Sequence, residues 1–334
     1  MKIAIISDLW LPFPGGAERY IYNIACEMIK RGHEIHVLTS YGPALCMVNN
    51  QPVSINLTIK DVGVFERHAH GWGVITRYLD DVRPDVILTH HFFAGEFPEL
   101  FHIGIPVVEL IHSRPRTPAA SLAIFNSNYT ANAPGQLRLP GDMVILPYAG
   151  PDIVAQEHGD CIGHIKPIGG KGIRLTYDLA RFFPERKFLV LRGEWQGGET
   201  IENLPNIEFM EPVKDIRTFY RRCRMILMPS EREEAGTVPQ ECALNGIPCV
   251  SSDAMGLPET NAGGIIININ WVQAPGEQYL IHNESCVRTW AHAIQKLDDP
   301  DYYSRIVARE QAHVASIPWA KLFDELDSKI RRLM

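Results

Sequence analysis

Two glutamates, Glu233 and Glu241, stand eight positions apart in the segment "MPSEREEAGTVPQECALNGIPCVSSDAMGLPE". An apolar strand runs into Pro229 and Ser230, and a carboxylate-rich loop with Glu231, Glu233 and Glu234 follows. Gly236 then precedes a helical pattern with Pro239 in its first turn, where the missing N–H costs little. A helix start after a glycine offers free backbone N–H groups, here those of Thr237 and Val238, and a partial positive charge. That suits a diphosphate. Glu241, one turn in, can accept two hydrogen bonds from a ribose diol. Glu233, in the loop, would point past the phosphates towards whatever they carry. The bland alternative is that glutamates at a helix start serve its dipole. The setting, with Pro-Ser and Gly before the helix and Asn-Gly-x-Pro and a strand after it, weighs towards the ligand.

Further candidates lie in other loops. "IGHIKPIGGKGIRL" carries His164, Lys166, Lys171 and Gly172. A lysine at a helix start neutralises negative charge that develops on a leaving phosphate; otherwise it is a solvated loop lysine. Gly172 after Lys171, with the wrong glycine spacing, excludes a Walker A loop. Gly15 and Gly16 lie between the first strand and first helix and allow close approach of a ligand. They form no G-x-G-x-x-G fingerprint, so no nicotinamide cofactor is indicated. "PDVILTHHFFAG" ends a buried strand on His90 and His91; His112 and Arg114 follow the next strand as candidates for acceptor contacts. No acidic triad or histidine cluster argues for a metal, and no cofactor is expected.

These loops need a scaffold that brings them together. Lys2–Ser7 is a β-branched apolar run, and Ile21, Ile24, Ala25, Met28 and Ile29 recur on one helical face. Glu34–Thr39 alternates as the next strand, completing a βαβ unit. Strands are expected at Asp85–Thr89, Pro106–Ile111, Leu122–Asn126 and Met143–Leu146, with one or two more in Tyr41–Arg67. A second series runs through Cys161–Ile165, Lys187–Arg192, Ile207–Phe209, Arg224–Met228, Pro248–Ser252 and Gly264–Ile269. Its helices are Gly172–Phe183, Val213–Arg222, Val238–Asn245 and Val287–Leu297. The expected class is α/β, with two doubly wound, Rossmann-like parallel-sheet domains facing a central cleft. Residues 1–152 are expected to form one domain and 153–316 the other, and the stretch 317–334 reads as a terminal helix.

Composition bounds the function. The 334 residues are 46% hydrophobic and 21% charged, which excludes a disordered or fibrous chain. A net charge of -7 gives no bulk attraction for nucleic acid. Seven cysteines without a CxxC pair point to reduced thiols. No apolar stretch is long enough to span a bilayer, and the start does not read as a signal peptide. A cytoplasmic protein is expected, with peripheral membrane association left open.

The segment from Glu233 to Pro258 resembles the E-x7-E region of retaining GT-B glycosyltransferases, the family-4-like group. Glu233 matches the first glutamate, Gly236 the last loop glycine and Glu241 the second glutamate. Lys171-Gly172, Gly15-Gly16 and the strand entry Gly32-His33-Glu34 match further motifs. Glu234 and Ala235 depart from the usual glycine and phenylalanine, Met255 replaces a usual glycine, and His164 stands where arginine is expected. The resemblance implies transfer of a hexose-type sugar, with retention, from a nucleotide-sugar donor to an acceptor hydroxyl. It also implies that residues 1–152 are the acceptor side, 153–316 the donor-binding domain, and 317–334 a terminal helix crossing back to the first domain. A UDP-sugar leads the donor expectations. The acceptor is a carbohydrate, a small molecule or a lipid-linked sugar. Lys171 would meet the diphosphate, joined at the arginine position either by His164, in a weaker and pH-dependent part, or by Lys166; Glu241 would meet the ribose, and Glu233 and His90 the transferred sugar, with no divalent metal and no dedicated base. His91 is the off-by-one alternative to His90. A nucleotide-sugar epimerase or phosphorylase of the same fold, or a non-catalytic nucleotide-sugar binder, shares these motifs.

Overall fold

The computed structural model describes residues 1–7, 15–39, 46–48, 51–53, 68–90, 97–167, 170–193, 202–269, 271–272 and 282–334. The chain divides into two units: Met1–Tyr148 with Pro318–Met334, and Ala149–Ile317.

The first unit runs β1 (Lys2–Ser7), α1 (Gly16–Lys30), β2 (Glu34–Thr39), β3 (Cys46–Val48), β4 (Gln51–Val53), α2 (His68–Val82), β5 (Val86–His90), β6 (Val107–Ile111), β7 (Leu122–Phe125), α3 (Asn128–Ala131) and β8 (Met143–Val144). Strands β3 and β4 pair antiparallel. The others form a six-stranded parallel sheet in the order β2-β1-β5-β6-β7-β8. The period-2 geometry of β1 divides its apolar run between two layers. Ile3 and Ile5 pack with Ile21, Ile24 and Met28 of α1, whereas Ala4 and Ile6 pack with Ile75, Tyr78 and Leu79 of α2. A strand buried on both faces must read as continuously apolar, and β1 does.

The second unit runs β9 (Cys161–Ile165), α4 (Ile173–Phe182), β10 (Phe188–Leu191), β11 (Ile207–Met210), α5 (Arg217–Tyr220), β12 (Cys223–Met228), α6 (Val238–Asn245), β13 (Cys249–Ser252), α7 (Leu257–Thr260), β14 (Ile265–Ile267), α8 (Glu284–Lys296) and α9 (Pro300–Ser316). Its parallel sheet has the order β11-β10-β9-β12-β13-β14. Both units are doubly wound and Rossmann-like, so the α/β reading of the sequence holds. The strand order reverses between β1 and β5 in the first sheet and between β9 and β12 in the second. Ligands of open α/β sheets bind beyond the carboxyl ends of the strands at such reversals.

The last helix, α10 (Trp319–Arg331), returns to the first unit. Phe323, Leu326 and Ile330 bury in the same core as α1, each contributing roughly 1.5–3 kcal/mol by burial. Trp319 packs against Tyr148, with ring centroids 5.1 Å apart. His33, in the turn before β2, holds Asp327 at 2.5 Å.

Two elements differ from the sequence reading. The helix expected over Val213–Arg222 contracts to Arg217–Tyr220. Asp215 stops its extension backwards, its carboxylate accepting from Arg217 N at 3.0 Å. Helix α9, Pro300–Ser316, has no counterpart among the helices expected from the sequence. It is capped by Asp299, which accepts from Asp301 N at 2.9 Å, with Pro300 in its first turn. Of its residues only Ile306 and Glu310 are buried, so it carries almost no apolar stripe to read.

Candidate functional site

Two loops meet at the reversal point of the second sheet. One follows β9 and leads into α4; the other follows β12 and leads into α6. They pack backbone against backbone. Gly172 caps α4 with φ of 79°, and a Cβ there would fall 2.0 Å from the carbonyl oxygen of Pro229. Only glycine satisfies both the left-handed backbone and this approach. Glu231 N donates to Gly170 O at 2.8 Å across the same seam. Between the two clamps, Lys171 Nζ pairs with the Glu233 carboxylate and also donates to Arg232 O at 3.4 Å.

The loop after β12 is pinned from its other side. Ser252 Oγ donates to Ser230 O at 2.6 Å, Gly256 N to Glu233 O at 3.0 Å, and Thr260 Oγ1 to Ala235 O at 2.5 Å. Ala235 is 1% exposed, so this position faces inward and Glu234 takes the more open side. Gly236 turns the chain with φ of 79°. A Cβ at Gly236 would sit 3.2 Å from both Glu233 Cγ and Leu257 Cδ2. Thr237 and Val238 then open α6. Glu241 is held apart from the ion pair: Tyr220 Oη donates to its Oε2, and Asn245 Nδ2 donates to its carbonyl oxygen at 2.8 Å.

His164 lies on β9 at 2% exposure, with Nδ1 2.7 Å from Thr176 Oγ1 of α4. Burial holds its pKa down to about 3, against a hydrogen bond to the Lys171 backbone that raises it. The ring is therefore neutral at ordinary pH. The sequence leaves His164 open as a cation of pH-dependent charge near the diphosphate; burial instead makes it an anchor for the loop that carries Lys171.

In the first unit, Gly15 caps α1 and Gly16 is its first residue. Glu18 folds back over this start, its carboxylate occupying the place a Cβ on residue 15 would take. His90 closes β5 beside the sheet reversal; its side chain and the whole of His91 lie outside the described residues. His112, after β6, is half-buried with its ring edge-on to Tyr20 at 5.5 Å, and Arg114 is exposed. Thus the structure brings Lys171 to Glu233 and sets Glu241 on Tyr220. Tyr220 carries no motif and has no counterpart in the sequence reading. Among the described residues, no group of three or more His, Cys, Asp or Glu is placed to hold a metal ion, and no helix is long and apolar enough to cross a membrane.

Comparison with known proteins agrees with this architecture. Residues 14–140 match the family model "Glycosyltransferase Family 4", and residues 183–299 match "Glycosyl transferases group 1". No curated protein matches the chain in sequence. Among solved structures, sucrose-phosphate synthase from Thermosynechococcus elongatus superposes with a TM-score of 0.74 at 16% identity, covering 99% of this chain and 98% of that one. Anabaena HepE in complex with UDP-glucose gives 0.72 at 17% identity, covering 99% and 100%. The catalytic domain of starch synthase IV from Arabidopsis thaliana, bound to ADP and acarbose, gives 0.65 at 11% identity, covering 99% and 98%. With the two family models spanning most of the chain on two doubly wound units, this protein belongs to the family-4-like glycosyltransferases of the GT-B fold.

Proposed function

We propose that the chain is a retaining hexosyltransferase that moves a sugar from a nucleotide-sugar donor, a UDP-sugar first among candidates, to an acceptor hydroxyl. One observation carries this reading: Lys171, Glu233 and Glu241 all belong to the two loops at the sheet reversal of the second unit and the helix that leaves them. A diphosphate on the N–H groups of Thr237 and Val238 would meet the ammonium of Lys171. As the bond to the sugar breaks, that ammonium stabilises charge growing on the leaving phosphate, an effect larger in the transition state than in the bound donor. Glu241 accepts from the ribose. Glu233, released from Lys171, accepts from hydroxyls of the sugar.

His90 at the end of β5 and Gly15-Gly16 before α1 keep the roles the resemblance implies, contact with the transferred sugar and with the donor phosphate. His112 and Arg114 are proposed for acceptor contacts in the same unit. The acceptor is a carbohydrate, a small molecule or a lipid-linked sugar, used in the cytoplasm or at its membrane face. The leaving phosphate takes the acceptor proton, so neither a dedicated base nor a divalent metal enters the scheme. The complexes of structural neighbours with UDP-glucose and ADP support a nucleotide-sugar donor.

The test is a mass-spectrometric screen of nucleotide sugars for donor hydrolysis and transfer, followed by NMR of the product anomer. Release of a nucleoside diphosphate with retained anomeric configuration supports the proposal. An inverted product, phosphate-dependent cleavage, or epimerisation without release contradicts it.

A further inference from the structure

Tyr220 is the last residue of α5 and is fully buried, packed with Cys242 and Ile247 from α6 and the turn beyond it. A buried phenol hydroxyl needs a partner, and the one it takes is Oε2 of Glu241. Burial and the neighbouring carboxylate push its ionisation well above the usual phenol range, so the group remains a donor at any working pH. The backbone of Glu241 is fixed as well: its N–H donates to Thr237 O at 3.1 Å, and its carbonyl accepts from Asn245. Asn245 is itself tied to Ala155 N at 2.6 Å. With backbone and one carboxylate oxygen held, Oε1 takes no hydrogen bond among the described residues.

We propose that Tyr220 is a positioning residue for the nucleoside: by donating to Oε2 of Glu241 it commits Oε1 to the ribose diol and sets the discrimination between ribose and 2′-deoxyribose. This rests on the ribose-holding reading of Glu241. A carboxylate free to rotate would offer either oxygen at varying distance. One clamped by a charge-assisted bond presents a single acceptor in one place, and preorganisation of that kind raises selectivity for the hydroxyl that completes the bond.

The experiment measures dissociation constants for UDP, ADP and GDP and their 2′-deoxy counterparts by calorimetry, on wild type, Tyr220→Phe and Glu241→Ala. The preferred ribonucleotide should bind wild type at least about tenfold tighter than its 2′-deoxy form. Glu241→Ala should bring that ratio to about one. Tyr220→Phe should cut it at least about threefold, by weakening the ribonucleotide more than the deoxynucleotide, a difference that an equal loss of packing for both ligands does not produce. If Glu241→Ala abolishes discrimination and Tyr220→Phe keeps it in full, the positioning role is overturned and the ribose reading stands. If wild type does not discriminate, binds none of the three, or discriminates equally without Glu241, the ribose reading falls and the positioning role with it. A second measurement needs no folded Tyr220 variant. The wild-type proton spectrum should show a hydrogen-bonded hydroxyl resonance that is missing in Glu241→Ala and persists at saturating UDP. Its absence, or its loss on adding UDP, overturns the proposal.

Discussion

Lys171 and Glu233, 62 positions apart, form an ion pair between the loops that follow the neighbouring strands β9 and β12. Both side chains are partly exposed, at 32% and 17%, so the pair itself adds only about 0–1 kcal/mol to stability. Its value is positional. In the proposed function the cation that would meet the phosphate and the carboxylate that would meet the sugar are held on each other, and a bound donor would separate them.

Lys171→Ala should therefore lower kcat for donor cleavage by about 10²- to 10³-fold while changing the melting temperature little. Glu233→Gln should lower kcat too. Because the two act as a pair, Lys171→Ala/Glu233→Gln should lose less than the product of the single effects. Steady-state kinetics on the three variants checks this; independent, multiplicative losses would argue that the pair is incidental.

Gly172→Ala should destabilise the second unit by about 2–3 kcal/mol, since it meets both a left-handed backbone and the Pro229 carbonyl oxygen. It should also impair turnover by parting the two loops. Gly16→Ala, where a Cβ meets nothing within 4 Å, should leave stability within about 0.5 kcal/mol. Urea denaturation of both variants makes the comparison.

Two buried groups of the second unit pull its stability in opposite directions with pH. His164 has its pKa lowered from 6.5 to about 3, so the unfolded chain binds the extra proton and stability is lost as pH falls below 6.5. Glu310 of α9 is 2% exposed and accepts from Cys249 N at 2.7 Å. Burial raises its pKa from 4.5 to about 8, so the folded chain holds the proton and stability is lost as pH rises from 4.5 through 8. Each contributes a slope of about 1.4 kcal/mol per pH unit inside its window. From these two groups stability is flat between about 4.5 and 6.5 and falls towards pH 8. Glu310→Gln should remove the alkaline decline, raising the melting temperature at pH 8.5 and changing it little at pH 5. An unchanged difference between the two pH values would mean that Glu310 ionises normally.

Helix α10 completes the core of the first unit. Phe323→Ala should cost about 3–5 kcal/mol, because the ring is 1% exposed and lies among α1 side chains. Hydrogen exchange should show lost protection in α1 as well as α10, with the second unit unaffected.

Legibility followed physical signal. Strand β1 and helix α1 could be read residue by residue because burial on both faces of one and one face of the other imposes a period. Helix α9 could not, since a helix with two buried positions looks like a solvated segment. In the candidate site, Lys171, Glu233 and Glu241 each stood out by type and by their place at a glycine-bearing loop. Their partners did not. Nothing local announces that Lys171 meets a residue 62 positions away, or that Tyr220 bonds a carboxylate 21 positions on. His164 shows the converse: its place where the resemblance expects an arginine invites a charged role, and only the packing of α4 on β9 reveals that the ring is buried and neutral.

The most direct test of the donor site is the rate at which nucleoside diphosphate is released from the preferred nucleotide sugar by wild type, Lys171→Ala and Glu241→Ala. Measurable release by wild type, lower kcat/KM by about 10²-fold or more in each variant, and intact melting transitions in all three are expected. Equal rates in folded wild type and folded variants, or no nucleotide sugar cleaved or bound by wild type, would contradict the donor site assigned to these residues.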